Sequence, residues 1–250
     1  MISSTYKKQK AVDRVSIAAI NKLVNGVLSS KDMAAGLINK NIMLQNSAAE
    51  PEQQNYIQQT VSAMTIPQLC NNVRKGQKVP LNIPTTQKLD ICIGWNVNNP
   101  DCDIDVSAFL LDGSGKVIGD DWFVFYSQTD SPDGSVHFSS HSQFDREEIT
   151  VDLSQLSKSV QKIVFVLTIY DAAKNGINFS MVSDAYIRIL DNASKQEIVS
   201  FKMDEYYPNV LSMMIGELYL HNGAWKFNAV GNGVAKELDG LCELYGVQLI

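Results

Sequence analysis

Asp101-Cys102-Asp103-Ile104-Asp105-Val106-Ser107-Ala108-Phe109-Leu110-Leu111 sets three carboxylates in alternation with apolar residues and then runs on as an almost wholly apolar segment. Side chains of an extended strand alternate faces with a period of two. The spacing therefore predicts a strand that sends Ile104, Val106, Ala108 and Leu110 into a core and projects Asp101, Asp103 and Asp105 from the other face. Three like charges so close repel one another. A hard cation with oxygen ligands relieves that repulsion, and Ca²⁺ is the first candidate, although carboxylate and carbonyl ligands suit Mg²⁺ or Mn²⁺ alike. A solvated acidic loop is the plain alternative. An EF-hand is excluded. Counted from Asp101, its glycine position holds Val106 and its bidentate glutamate position holds Asp112.

Outward from this stretch the chain reads as strands and turns. Lys88-Leu89-Asp90-Ile91-Cys92-Ile93-Gly94-Trp95 precedes it, and residues 79–83 alternate before that. After it come the turn Asp112-Gly113-Ser114-Gly115-Lys116, a strand-like Asp121-Trp122-Phe123-Val124-Phe125-Tyr126, and the Asp133-Gly134 turn before Val136-His137-Phe138. Residues 148–153 are strand-like. Residues 162–170 form a nearly continuous apolar run, as expected of a central strand buried on both faces. Further strands are expected at 185–190, 197–201, 212–220 and 224–230, the last two joined by His221-Asn222-Gly223. Many short strands with turns at near-regular spacing predict a mainly β fold, a sandwich of two sheets. Residues 233–245 form its one helical piece, with Leu238, Leu241 and Leu244 packing over a sandwich end.

Residues 8–65 differ. They hold no Trp or Phe and many Ala, Asn, Gln and Lys. Val12, Val15, Ala19, Leu23 and Val27 fall near helical spacing. A second helix from a Ser30 cap and a third begun by Pro51 complete a small α-helical module. Its apolar stripe serves internal packing or an oligomer interface. Two domains follow, a helical module at 1–65 and a β-sandwich domain at 66–250.

The 250 residues carry a formal net charge of −6, which argues against nucleic acid, since phosphate binding needs a basic surface. No apolar run is long enough to span a bilayer. No apolar signal segment with a cleavage site follows Met1-Ile2-Ser3-Ser4-Thr5-Tyr6-Lys7-Lys8, so a cytoplasmic location is expected. Cys70, Cys92, Cys102 and Cys242 form no Cys-x-x-Cys pair and read as reduced thiols. There is no Gly-x-Ser-x-Gly, no phosphate cradle and no cysteine in a catalytic context, so no enzyme is expected. His137 and His141 alone leave a zinc set incomplete. Asp120-Asp121 reads as a turn. Asp171 either closes a site at a strand end or caps the loop after it.

Several segments, in one collinear order over about two-thirds of the chain, resemble the TerD family of tellurium-resistance and general stress proteins. They include Ile93-Gly94-Trp95, Asp103-Ile104-Asp105-Val106-Ser107-Ala108-Phe109-Leu110-Leu111 and Phe123-Val124-Phe125-Tyr126-Ser127-Gln128. Ile149-Thr150-Val151-Asp152-Leu153-Ser154, Ile169-Tyr170-Asp171-Ala172 and Phe179-Ser180-Met181-Val182-Ser183-Asp184-Ala185-Tyr186-Ile187-Arg188 continue the series. Gly216-Glu217-Leu218-Tyr219-Leu220-His221-Asn222-Gly223-Ala224-Trp225-Lys226-Phe227 and Leu241-Cys242-Glu243-Leu244-Tyr245-Gly246-Val247 complete it. The resemblance implies a TerD-like β-sandwich that binds Ca²⁺ in loops at one end, no established catalysis, and protein partners that include membrane-associated stress complexes. It departs from the family at Ser127, where an Asn is usual, and in a shorter 137–148 loop whose acidic end is still matched by Asp145 and Glu147. The expected ligand set is thus Asp103 and Asp105, joined by Asp145 and Glu147, with Asp101 as a further ligand. The expectation is a non-enzymatic Ca²⁺-binding stress-response module that binds or scaffolds protein partners. The alternative is a metal-independent assembly protein whose N-terminal helices drive homo-oligomerisation.

Overall fold

A computed structural model describes residues 63–84, 87–140 and 145–249. The expected N-terminal helices, His141 and the middle of the 137–148 loop lie outside them.

Two six-stranded sheets face each other. The first has the order β1 (Asn72–Val73), β10 (Glu197–Lys202), β9 (Val182–Asp191), β3 (Lys88–Val97), β7 (Glu147–Asp152), β6 (Val136–Ser139). The second runs β2 (Lys78–Pro80), β12 (Ala224–Val234), β11 (Ser212–His221), β8 (Lys162–Ile169), β4 (Ile104–Leu111), β5 (Phe123–Val124). All pairings are antiparallel except β1 with β10. Between the sheets lies the main core. One wall is Leu89, Ile91 and Ile93 with Ile187 and Ile189; the other is Ile104, Val106, Ala108 and Leu110 with Ile163, Phe165 and Leu167. The alternation read in the 101–111 stretch is thus realised, with all four of its inward residues in the core.

The opposite face of β4 is also buried. Phe109 and Leu111 join Val164, Val166, Phe123 and Phe125 in a second apolar cluster. Its cover is the helix α2 (Leu238–Tyr245), through Leu241 and Cys242, both 0% exposed. The helix therefore lies on the outer face of the second sheet rather than over a sandwich end. It is also shorter than expected: Gly233 and Val234 still belong to β12. Leu244 faces solvent at 45% exposure. The 121–126 segment gives only the two-residue β5, preceded by a 3₁₀ turn at Asp120–Trp122. Its aromatics are buried by stacking, Phe109 on Phe123 at 4.4 Å and Phe123 on Phe125 at 4.6 Å, and not by extended pairing. A short helix, α1 (Ala172–Asn175), follows β8.

A strap joins the two sheets on one side. β1 sits in the first sheet and β2 in the second, and the turn between them holds Gly76 at φ 78°. Gly76 N donates to Ala229 O at 2.6 Å and Ala229 N donates to Gln77 O at 3.0 Å, pinning the crossover to β12.

Gly94 on β3 is directly opposite Tyr186 on β9. The Tyr186 ring, 0% exposed, lies across the glycine, where a Cβ would overlap its hydroxyl and ring edge. Gly94→Ala is expected to lower stability by about 1–3 kcal/mol through overpacking. Urea unfolding reads this directly, and an unchanged midpoint would refute the packing role. Among the described residues, no helix is long and apolar enough to cross a membrane.

Candidate functional site: an acidic pole of the sandwich

β4 carries the site because its two edges differ. Along one edge it pairs with β8 from Ile104 to Leu111. Along the other it pairs with β5 only at Ala108 and Phe109. Toward Ile104 no strand pairs with this edge, and the Val106 N–H finds its acceptor in the other sheet: it donates to Glu147 Oε2 at 2.8 Å. Glu147 opens β7 in register with Ile93, so it faces the sandwich interior and reaches across it.

Glu147 therefore meets Asp105 and Asp103. Burial pushes the Asp105 carboxyl up to about 7, and the neighbouring Asp103 adds to the shift. Burial raises Glu147 well above the usual carboxylate range. Asp105 and Asp103 push it further, while the Val106 N–H and Arg146 pull the other way. Asp103 sits at the rim, with part of its surface in solvent, and its carboxyl is raised by desolvation as well. Two tyrosines complete the group. Tyr126 is raised by burial and then by Asp105, Asp103, Tyr170 and Glu147. Tyr170 is pushed up to about 12, first by burial and then by Asp171, with Asp103 contributing. The Tyr170 N–H donates to Asp103 O at 2.9 Å, which fixes Asp103 just before the strand begins.

No salt bridge among the described residues neutralises the carboxylates of this group. None of the ion pairs among the described residues involves Asp101, Asp103, Asp105 or Glu147. The neighbouring cation, Arg146, is turned to Trp95: its Nε donates to Trp95 O at 2.6 Å and its guanidinium lies 5.7 Å from the ring centre.

Not every expected ligand joins. Asp101 is exposed; its carbonyl accepts from Asp103 N at 3.1 Å, and its own N–H donates to Asn99 Oδ1. Asp145 belongs elsewhere. Its Oδ1 accepts from Arg188 Nε at 2.9 Å and from the Tyr186 hydroxyl at 2.7 Å, and its Oδ2 accepts from Arg188 Nη2 at 2.7 Å. Arg188 and Tyr186 share register with Cys92 and Gly94, the face of β3 turned away from the core. The physical reason is local. β7 starts at Glu147, and residues 145 and 146 form a bend, so strand alternation does not carry Asp145 to the side of Glu147. Asp171 does not cap α1 through its side chain; its carboxylate pairs with Lys174 at 2.9 Å and acts on Tyr170 at the edge of the group. Asp120 holds the turn by accepting from Gln248 N at 2.7 Å. Sequence reasoning misses Tyr126, Tyr170 and Ser107. Parity gives the signal for Ser107, which shares a face with Asp105, and for Tyr170, two positions beyond Thr168.

The donor chemistry suits a hard divalent cation, because three desolvated carboxyl groups and backbone oxygens offer only oxygen ligands. Their spacing is wider than a bound ion needs: among the described residues, no three His, Cys, Asp or Glu side chains stand close enough to hold a metal.

A mainly β domain of two six-stranded sheets, with an acidic pole where β4 begins, defines the class. The chain belongs to the TerD family, whose domain matches residues 69–245. It is 36% identical over 189 residues to general stress protein 16U of Bacillus subtilis (strain 168), covering 71% of this chain and 98% of that protein. It is 37% identical over 186 residues to the tellurium resistance protein TerD of Serratia marcescens, covering 70% and 97%. Among solved structures, the protein of unknown function SAV2460 superposes with a TM-score of 0.51 at 17% identity, over 66% of this chain and 99% of that one. This last likeness bears on the fold alone. The family is one of tellurium-resistance and stress-response proteins.

Proposed function

We propose that the chain is a non-enzymatic stress-response module whose acidic pole takes up Ca²⁺ through Asp103, Asp105 and Glu147 and thereby adjusts its hold on a protein partner. One observation carries this reading: the largely buried carboxyl groups of Asp105 and Glu147, from two sheets, gather beside the exposed Asp103 with no basic side chain ion-paired to any of them. Burying like charges is costly unless a proton or a cation neutralises them. Asp145 is not part of this set, because Arg188 already occupies it. When bound, Ca²⁺ supplies charge neutralisation and a rigid link between the start of β4 and the start of β7. Ligands that bind only the folded state stabilise it by mass action.

Calcium at a hundredfold excess over its dissociation constant is expected to add about 2.7 kcal/mol, which for a domain of this size is a rise of roughly 5–10 °C in the unfolding midpoint. Titration calorimetry with the full chain should give a matching heat. Asp103→Asn with Asp105→Asn should abolish both responses. No heat and no thermal shift at millimolar Ca²⁺ would sink the metal half of the proposal. The spacing of the carboxylates favours a second reading, a metal-independent assembly module whose acidic pole is held neutral by protons. On that reading full-length protein oligomerises and Ca²⁺ is inert.

A further inference from the structure

Asp145, Arg146 and Glu147 follow one another, yet each is anchored to a different part of the sandwich. Asp145 reaches β9 on the outer face of the first sheet, where Arg188 donates to its carboxylate at 2.9 and 2.7 Å and the Tyr186 hydroxyl donates at 2.7 Å. Arg146 is fixed to the backbone of β3 twice: its N–H donates to Ile93 O at 3.0 Å and its Nε donates to Trp95 O at 2.6 Å. Glu147 crosses the interior to accept from Val106 N on β4 at 2.8 Å. The three residues form a peg that joins the outer face of one sheet to a strand of the other.

The peg has little slack. Each residue spans at most about 3.6 Å of chain, and the middle one is held at both its backbone and its side chain. A displacement of Asp145 is therefore passed on to Glu147. The hold on Asp145 is itself built in from two strands. Tyr186 reaches it because Gly94, directly opposite on β3, leaves room for the ring to lie across the sheet. Arg188 stands opposite Cys92, on the same outer face. A buried ion pair adds little net stability over apolar residues of the same size, and its best attested use is to specify register. What this pair specifies is where β7 begins, and the first residue of β7 is Glu147.

We propose that Asp145, held by Arg188 and Tyr186, is a positioning residue for the acidic pole: from the outer face of the first sheet it sets Glu147 on Val106, and so sets how Glu147 stands toward Asp105. The outer face of the first sheet thereby governs a site that it does not touch. The placement of Glu147 holds with or without an ion; only its bearing on Ca²⁺ affinity rests on the function proposed above.

Residue-resolved amide exchange of the full chain in EDTA tests this. The readout is the exchange rate of the Val106 N–H divided by that of Ala108, which lies on the same strand and pairs with Val124. Asp145→Ala and Arg188→Met should each raise the ratio about tenfold, because the charge-assisted bond to Val106 is loosened locally. Tyr186→Phe keeps the arginine and should raise it about threefold. Asp145→Asn leaves an oxygen for Tyr186 and for Arg188 Nε, and should stay within about twofold of the wild type. Leu89→Ala, fully buried near the other end of β3, lowers overall stability as a core truncation and should leave the ratio unchanged. A ratio that stays at the wild-type value in Asp145→Ala and Tyr186→Phe, or that Leu89→Ala moves as far as they do, overturns the proposal. A second arm titrates Ca²⁺ by calorimetry. Asp145→Ala should weaken its binding about tenfold while Asp145→Asn keeps it. A wild-type chain indifferent to Ca²⁺ sinks the ion site, and the Val106 ratio still decides the positioning.

Discussion

In EDTA the unfolding midpoint of the wild-type chain should fall as pH rises from about 4 to about 7, relative to that of Asp105→Asn, and the difference should level off above that range. An unfolded aspartate titrates near 3.9, while in the fold burial, and then Asp103, hold Asp105 at about 7. Between those values the folded chain binds more protons than the unfolded one, so stability declines with rising pH. Below the unfolded value both states are protonated and the full stability is present. Above the folded value both are ionised and the loss is complete. A shift of about three units corresponds to about 4 kcal/mol; shared repulsion with Asp103 and Glu147 leaves roughly 2 kcal/mol for Asp105 alone. The Asp105→Asn variant should therefore gain on the wild type by several degrees at pH 8. The groups facing Asp105 are Asp103, Glu147 and Tyr126, with Arg146 behind Glu147. The carboxylates that their partners hold below the usual range, such as Asp184 beside Lys202 and Asn96, act at lower pH and are common to both proteins. Thermal scans of the two proteins side by side, from acid to mild alkali, make the comparison. A difference independent of pH would mean that Asp105 is neutralised by something other than a proton.

Arg188→Met should be the most damaging single change at the outer face of the first sheet, costing about 3–5 kcal/mol. The Asp145 side chain is 1% exposed and that of Arg188 is 13% exposed. Removing the guanidinium strands a buried carboxylate with only the Tyr186 hydroxyl left among these contacts. Asp145→Asn should cost less, roughly 2 kcal/mol, because the exposed edge of Arg188 can still reach water. The two acidic substitutions then separate cleanly. Asp145→Asn destabilises and leaves any Ca²⁺ response intact, whereas Asp105→Asn stabilises the metal-free protein and removes the response. Equilibrium urea unfolding with and without Ca²⁺ distinguishes them. A Ca²⁺ response lost in Asp145→Asn would return Asp145 to the ligand set.

The sandwich is legible because its long strands obey one local rule. Ile104, Val106, Ala108 and Leu110 announce their face by parity alone, and the unbroken apolar run from Lys162 to Ile169 announces a central strand buried on both faces. Elements decided by a distant partner are harder to read. The 121–126 aromatics look like a strand, yet they are buried by stacking on Phe109 and by the C-terminal helix, a contact across more than a hundred residues. The helix is expected over an end because its leucines show only that one face is apolar, and not which surface accepts it. The site divides in the same way. Asp103 and Asp105 follow from the strand that bears them, and Glu147 follows from its register with β3. Asp145 is harder to place because it lies in the two-residue bend before the strand, and its partner Arg188 lies 43 positions away.

The hydrogen bond from Val106 to Glu147 has another consequence, for self-association. A strand edge with a free N–H is a template for pairing with a second chain, and proteins guard such edges with charge or short flanking strands. Here β5 guards two residues of β4 and one carboxylate guards the next. Any event that draws Glu147 away from Val106 uncovers a hydrophobic strand edge at that pole. The same side chain thus links the electrostatic state of the pole to the exposure of that strand edge.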